Sequence, residues 1–243
     1  MTNKLSFVIL LTFVVIGFMP LATKAQTSSL NVLPFEAGYE LFRQGSKYGE
    51  GKRQLQSLGD GQFSIELKSH LEWLIFSDDR HELSKFKMGP EIIQPIEYKY
   101  VRKGTGKDKK LRATFNSDGS LDVKPLPKKQ PETTWQLGTM DELTLHLQVQ
   151  QDLIAGKEKF SYNIISSGGK LRKYNMEVIG QEIISTSLGR FNAIKVARIY
   201  ETNKHTSLHA WFVPELNHTL ARLWRIKKGV EQYDLVIKSY KQN

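Results

Sequence analysis

The sequence predicts an all-β protein that is mainly antiparallel and contains one substantial helix. Apolar and polar residues alternate in several short runs, for example over residues 35–41 and 63–67, and a period of two buries one face of a strand. Glycine-containing turn signals separate these runs at hairpin spacing. One segment near residue 140 instead has the apolar spacing of a helix.

Alternating runs predict half-buried strands along the chain. They centre on residues 35–41, 63–67, 71–75, 96–100, 160–164, 174–178, 208–212 and 233–237. Turn signals stand at 59–61, 118–119, 167–169 and 228–229. Residues 104–107, Gly-Thr-Gly-Lys, lack the glycine spacing and the following helix of a phosphate loop. We therefore interpret them as a basic hairpin tip.

The predicted helix covers residues 140–155. Thr139 and Glu142 fit a capping box at its start. Leu143 and Leu147 fall on one helical face, and Gly156 can end the helix. The proline-rich residues 124–131 before it predict an exposed connection between two β-rich halves.

The first 25 residues have the pattern of an export signal. Lys4 precedes an apolar run over residues 5–21, and Thr23 and Ala25 supply small residues for cleavage. We expect removal after Ala25, one β-rich domain over residues 26–243, and a soluble periplasmic protein. A membrane anchor is the alternative interpretation of the run. The chain has no cysteine, so packing must stabilise the core without disulfides.

Positive charge is concentrated in one stretch. Residues 26–243 contain 33 Lys or Arg and 25 Asp or Glu, a formal charge of +8. Ten of these cations and three of these acids lie between positions 99 and 129. Such an excess can attract an anionic membrane or envelope polymer. Solvated loops that keep a protein soluble are the favoured interpretation of the same excess.

Three charged residues share predicted strand faces with apolar neighbours: Arg198, Arg222 and Glu182. Burying an unpaired guanidinium is very unfavourable, so inward arginines need a carboxylate, carbonyl groups or an anionic ligand. An internal ion pair between Glu182 and Arg222 is one interpretation. Anchoring of an acidic head group in an apolar cavity is the second. A bulge that reverses the register is the third, because it would move these side chains to the other face.

Aromatic residues lie on the same predicted faces, among them Trp211, Trp224, Tyr98 and Tyr100. Their location is typical of a sheet core, and a ligand-lined pocket is the alternative. No G-x-S-x-G elbow or metal-binding histidine pair is present in the sequence. We expect no catalytic residue, no metal site and no cofactor.

Several short motifs, in their order and spacing, resemble the exported bacterial family called domain of unknown function 3108. The resemblance covers the whole mature region and is carried by Phe35-Glu36-Ala37-Gly38-Tyr39-Glu40, Gly49, Gly51, Ser84-Lys85-Phe86, Pro95 with Tyr98-Lys99-Tyr100-Val101-Arg102, Asp141-Glu142-Leu143-Thr144, Glu182 with Leu188-Gly189-Arg190-Phe191, and Trp211-Phe212-Val213-Pro214-Glu215-Leu216-Asn217 leading to Arg222. This chain departs from the family pattern at Asn116, Ser187 and Leu220. The resemblance implies an all-β periplasmic protein, similar in layout to the half-open barrel of lipoprotein carriers, and no known activity.

We therefore predict a curved sheet or incomplete barrel with the helix on its concave face. The first functional hypothesis is a binding or chaperone protein for a lipid, lipoprotein or other amphiphile, with candidate ligand residues Arg222, Arg198, Glu182, Trp224, Trp211, Tyr98 and Tyr100. The second is docking to an anionic envelope surface through the basic region 99–129, with candidate contacts Lys107, Lys109 and Lys110. An unrecognised hydrolase is the third. We expect a monomer, with a lipid or anionic envelope component as partner rather than nucleic acid.

Overall fold

The computed structural model describes residues 33–126, 138–200 and 205–243. The expected export signal and most of the proline-rich connection lie outside these residues. Within them, no helix is both long enough and apolar enough to cross a bilayer.

The described chain forms fourteen strands, one α-helix and one 3-10 turn. In chain order these are β1 Phe35–Arg43, β2 Ser46–Gly59, β3 Gln62–Trp73, β4 Phe76–Met88, β5 Ile93–Gly104, β6 Lys109–Phe115, β7 Leu121–Lys124, β8 Thr139–Asp141, α1 Glu142–Ile154, β9 Lys159–Ile165, β10 Leu171–Thr186, β11 Gly189–Ile199, β12 Thr206–Val213, the 3-10 turn Pro214–Leu216, β13 Thr219–Lys227 and β14 Val230–Gln242.

All strands belong to one sheet that does not close. Its order is β7-β6-β5-β4-β3-β2-β1-β14-β13-β12-β11-β10-β9-β8. Neighbours are antiparallel except for β8 and β9, which are parallel. Pairing of β1 with β14 joins the first seven strands to the last seven. The predicted class, a mainly antiparallel curved sheet with one helix, is confirmed.

Period-two alternation sets which face of the sheet carries the core. In β1, Phe35, Ala37 and Tyr39 are buried, and the residues between them are partly exposed. The buried set shares one apolar cluster with Leu143 and Leu147 of α1. We call the face that carries α1 the inner face and the opposite one the outer face.

The helix begins two residues later than predicted. Asp141, rather than Thr139, is the N-cap: its carboxylate accepts hydrogen bonds from the amides of Leu143 and Thr144, each at 2.9 Å. The Thr144 hydroxyl completes the capping box by accepting from the Asp141 amide at 3.1 Å. Thr139 instead belongs to β8, where pairing with β9 keeps the backbone extended. The helix ends before Gly156, whose φ of 74° is the left-handed conformation expected there.

Strand β3 ends earlier than the alternation predicted. Trp73 pairs with Phe76 across the hairpin, so Leu74 and Ile75 form a two-residue turn. Their side chains are 85% and 83% exposed. The prediction that Ile75 lies on a half-buried strand face was wrong, because the pattern of apolar residues continues through the turn.

Two bulges reverse the faces predicted for charged residues. In β13, Leu220 opposes Phe212 while Arg222 opposes Trp211, so Ala221 is an extra residue. Leu220 therefore lies on the inner face and Arg222 on the outer face. A bulge in β10 just before Gly180 likewise moves Glu182 to the outer face.

Beyond this second bulge, the β10–β11 hairpin leaves the main sheet. Residues 194–197 of β11 pair with both β10 and β12, whereas residues 189–193 pair with β10 alone. Strand β10 also contacts β14, and Ser187 Oγ lies 3.5 Å from Glu40 Oε2 on the outer face of β1. We call residues 180–193 the outer arm, since they lie across the outer face.

Candidate functional site

A row of directly opposed, mainly aliphatic residues crosses the inner face. It takes one residue from each of seven neighbouring strands, β11 to β3: Val196, Ala210, Leu223, Leu235, Leu41, Gly49 and Leu71. We call this set the apolar row. Adjacent strands are about 4.8 Å apart, so the row extends for about 29 Å across the sheet.

The helix leaves part of this row uncovered. The helix starts near the middle of the sheet and runs toward one of its ends. At that end the side-chain amide of Gln148 donates to the Glu91 carbonyl, and that of Gln150 donates to the Asn217 carbonyl. On the opposite side of its N-terminus, Leu71, Leu223 and Leu235 of the row are only partly buried. This uncovered part of the concave face is the inner groove.

Because Gly49 has no side chain, it leaves space above β2 in the apolar row. A Cβ atom there would lie 2.4 Å from the His70 carbonyl oxygen and 2.6 Å from a methyl group of Leu71. A side chain at this position would therefore displace β3 or Leu71. The glycine lets Leu71 occupy the space in front of β2.

Two arginines lie beside the apolar row, on the side toward the β3–β4 turn. Arg198 opposes Met176, and its guanidinium carbon lies 3.2 Å from the Tyr174 ring centroid and 4.5 Å from that of Tyr200. Arg225 opposes Tyr233. Neither arginine forms an ion pair within the described residues, and both Nε atoms are buried there without a hydrogen-bond partner.

The two arginines at the other wall of the groove share one carboxylate, that of Asp78. Asp78 accepts from Arg80 Nε at 2.8 Å and from Arg102 Nε at 2.7 Å. A pocket of about 480 Å³ opens beside this triad, and Tyr48 and Phe76 contribute to its lining. Arg198 and Arg225 differ from this triad because neither forms an ion pair with a carboxylate among the described residues.

Acidic groups surround the start of α1 at the base of the groove. Tyr98 Oη donates to Glu82 Oε2 at 2.5 Å, and the Ser84 hydroxyl donates to Asp141 Oδ2 at 2.6 Å. Burial raises the pKa of Glu82 to about 7, and the nearby Glu142 carboxylate adds to the shift. Glu142 itself accepts from the Ser167 amide at 3.0 Å.

Three of the seven predicted ligand residues lie on the inner face. Arg198 lies on the inner face, as its strand pattern predicted, and its role as a ligand contact stays a prediction. Tyr98 and Tyr100 are buried, with 0% and 5% exposure. They belong to the core next to the groove, and their assignment as ligand contacts stays a prediction.

The other four form a cluster on the outer face: Arg222, Glu182, Trp211 and Trp224. The proposed pair between Glu182 and Arg222 is wrong. Arg222 donates to both oxygens of Asp234, at 2.8 and 2.7 Å, and these bonds raise its pKa. On the neighbouring strand β12, Trp211 lies directly opposite Arg222, and its ring centroid is 4.9 Å from the guanidinium carbon.

Glu182 reaches the outer cluster from the outer arm. It accepts from Trp211 Nε1 at 2.7 Å and from Lys195 Nζ at 3.1 Å. Burial alone would raise the pKa of Glu182, but these hydrogen bonds outweigh it and hold the pKa below its ordinary value. Trp224 Nε1 donates to Glu231 Oε2 at 2.8 Å. Each charge in the cluster has a partner, so the cluster fastens the outer arm to the sheet.

The three predicted surface lysines lie at the β5–β6 hairpin. Lys107, Lys109 and Lys110 are exposed, and none forms an ion pair within the described residues. The interpretation of residues 104–107 as a hairpin tip is confirmed. Contact of these lysines with an envelope surface stays a prediction.

Sequence reasoning missed Arg225 and Tyr233 as groove residues. Tyr233 was assigned to a core face from its alternation with Leu235, which was a usable signal. Arg225 had no comparable signal, because its face depends on the bulge at Ala221 and on pairing with β14.

No group of metal-ligating side chains occurs in the described part of the chain.

The described geometry is that of a half-open β protein with one helix and a groove on its concave face. The chain belongs to the family described as "Protein of unknown function (DUF3108)", whose model matches residues 52–236. No curated protein matches the sequence. The resemblance seen in the sequence motifs is thereby confirmed.

Several solved structures are similar to this chain at low sequence identity. A β-barrel-like protein of domain of unknown function DUF1849 from Brucella abortus has 11% identity and a TM-score of 0.56, over 88% of this chain and 99% of that chain. MucB in complex with MucA(peri) has 9% identity and a TM-score of 0.34, over 88% of this chain and 52% of that one. A protein of YmcC-like fold from Bacteroides fragilis has 12% identity and a TM-score of 0.33, over 87% and 97% of the two chains. The first match shows a common fold and nothing about function.

Proposed function

We propose that this protein is a non-catalytic, exported carrier that binds an anionic amphiphile in the inner groove. The observation that carries the proposal is the position of Arg198 and Arg225. Both guanidinium groups face a partly buried aliphatic surface without a carboxylate partner among the described residues. A desolvated cation in such a place is stabilised by an anionic ligand group.

The apolar row supports an acyl chain as the second part of the ligand. Leu223, Leu235 and Leu71 present partly exposed aliphatic surface in one continuous line. Burying that surface against a hydrocarbon chain is favourable by about 25 cal/mol per Å². The tyrosines beside the arginines, Tyr174 and Tyr233, have the apolar ring and polar hydroxyl suited to the boundary between chain and head group.

The buried acids at the start of α1 are more consistent with a binding protein than with a hydrolase. Glu82 is 8% exposed and bonded to Tyr98, so it is not available to a substrate in the groove. A hydrolase that uses two carboxylates needs accessible acids on either side of its substrate, and the buried Glu82 does not meet this requirement.

The first experiment asks whether the purified protein retains an amphiphile. Organic extraction and mass spectrometry should find an anionic lipid in the wild-type protein, or delipidated protein should bind added lysophosphatidylglycerol. Arg198→Gln with Arg225→Gln should weaken this binding at least tenfold, because the head group loses both charged donors. Arg190→Gln is the matched control, since Arg190 is exposed on the outer arm.

A second variant tests the apolar part separately. Leu235→Asn should reduce binding of long-chain lipids more than that of short-chain ones. Circular dichroism of each variant checks that the fold is retained. Wild-type protein that carries no lipid and binds none of the added lysophosphatidylglycerol would contradict the proposal.

A further inference from the structure

We propose that the end of the molecule that carries the β3–β4 turn docks on an anionic lipid bilayer and inserts that turn into it. The inserted residues are Leu74, Ile75 and Phe76, which we call the apolar tip. Their side chains are 85%, 83% and 53% exposed. Large apolar side chains that are consecutive and this exposed mark a surface for a partner or a membrane.

The apolar tip is not explained by turn formation. Three other two-residue turns of the sheet use the sequences Gln44-Gly45, Asp60-Gly61 and Lys228-Gly229, in which both residues have positive φ. Polar residues and glycine adopt this conformation readily. Leu74 has a φ of 56°, which is unfavourable for a side chain of its kind. A turn of polar residues and glycine would form more favourably. A requirement other than folding must therefore explain why these residues are apolar.

The apolar tip is held next to the basic β5–β6 turn. The Ser77 amide donates to Thr105 Oγ1 at 2.9 Å, and the Thr105 amide donates to the Ser77 carbonyl at 3.0 Å. A Cβ on Gly104 would lie 2.2 Å from the Ser77 oxygen, so the glycine permits this close approach. The two turns therefore form one surface.

Lysines surround this surface. The antiparallel connections bring the β5–β6 and β13–β14 turns to the same end as the apolar tip. Exposed lysines at this end that form no ion pair within the described residues are Lys103, Lys107, Lys109, Lys110, Lys227 and Lys228. Exposed acids also occur there: Glu72 and Asp79, which both contact His70, and Asp108. The cations outnumber them.

An anionic bilayer fits both properties of the surface. Apolar side chains enter the boundary between head groups and acyl chains, and lysines around them contact anionic head groups. An acidic protein would explain the lysines but would leave the apolar tip in need of its own pocket. The inference stands independently of the groove ligand. Phe76 also lines the pocket at the groove, so docking would bring the groove to the lipid surface.

Co-sedimentation with phosphatidylglycerol vesicles tests the docking. Leu74→Asn with Ile75→Gly should weaken binding at least tenfold without lowering Tm, because Asn-Gly is a favourable hairpin turn. Leu58→Asn is the matched control, since Leu58 is 51% exposed near the opposite end of the sheet.

The lysines are tested separately. The triple variant Lys107→Gln, Lys109→Gln and Lys110→Gln should weaken binding and reduce its salt dependence. Lys85→Gln, Lys87→Gln and Lys241→Gln make the same charge change at the opposite end and should have little effect.

Insertion itself can be observed with a single label. The chain has no cysteine, so Ile75→Cys can carry an environment-sensitive dye, with Leu58→Cys as the control site. Anionic vesicles should shift the emission of the dye at position 75 to the blue and leave that at position 58 unchanged. The proposal is overturned if wild-type protein does not bind phosphatidylglycerol vesicles at low salt, if the Asn-Gly variant binds equally well, or if an acidic protein alone is bound. None of these outcomes depends on lipid retention in the groove.

Discussion

At the residue scale, the surroundings of each arginine decide its role. Arg80 and Arg102 share the Asp78 carboxylate, and Arg222 pairs with Asp234. Arg198 stacks on tyrosine rings instead. A ring face stabilises a cation without using its N–H donors, and the Nε–H groups of Arg198 and Arg225 have no hydrogen-bond partner among the described residues. Arg198 and the nearby Arg225 are for this reason the residues assigned to an anionic ligand.

Glu82 should make stability depend on pH. Its pKa is raised from 4.5 to about 7 by burial, so between these values the folded protein holds a proton that the unfolded chain has released. The contribution of Glu82 to stability therefore falls as pH rises through this window, by on the order of 3 kcal/mol. Denaturant unfolding at pH 5 and pH 8 measures this difference. Glu82→Gln should remove most of it, whereas Glu36→Gln on the outer face should not. An unchanged pH dependence in Glu82→Gln would show that another group is responsible.

At the scale of elements, bulges and caps place the functional groups. The bulge at Ala221 turns Arg222 outward but leaves Leu220 inward. The Asp141 cap fixes where α1 begins and therefore how much of the concave face stays open. An element can thus have its predicted type while its side chains point elsewhere, because one extra residue reverses a strand face.

The start of α1 should depend on Asp141. Asp141→Ala removes the acceptor for two helix amides and for the Ser84 hydroxyl. We expect a loss of about 2–3 kcal/mol in the free energy of unfolding, measured by urea denaturation. Asp141→Asn retains an acceptor oxygen and should lose less than half of this. Equal losses in the two variants would mean that the carboxylate charge, and not the cap, stabilises the helix.

At the scale of the whole molecule, one continuous sheet joins both halves of the chain. The β1–β14 pairing is the connection, and α1 contacts strands from both sides of it, including β4, β5, β9 and β13. The groove and the apolar tip also lie toward the same end. A carrier with this arrangement can take up or release its ligand where it meets a membrane.

This continuity predicts one cooperative unfolding transition. Near-ultraviolet and far-ultraviolet circular dichroism should give coincident curves in denaturant. Gly38→Val should shift both curves equally, since a Cβ at Gly38 would lie 2.5 Å from Ser239 Oγ in the β1–β14 pairing. Two separate transitions, or a shift in one probe only, would show that the two halves are separate domains.

The β class, the single helix, the family and the buried face of β1 could all be predicted from the amino-acid sequence. These depend on local periodicity and on residues whose order is visible in one chain. Arg198 was also placed correctly, because no bulge interrupts β11 between Ile194 and Ala197.

Which charged residues contact each other could not be predicted, because it depends on how the strands pair. Arg198 and Arg222 have the same alternating pattern in the sequence, yet they lie on opposite faces of the sheet. The difference comes from Ala221, whose extra position exists only in the pairing of β13 with β12. Likewise, Leu74 and Ile75 continue a strand pattern, and only the pairing of Trp73 with Phe76 exposes them. Register is a property of two strands together, so one strand's sequence cannot specify it.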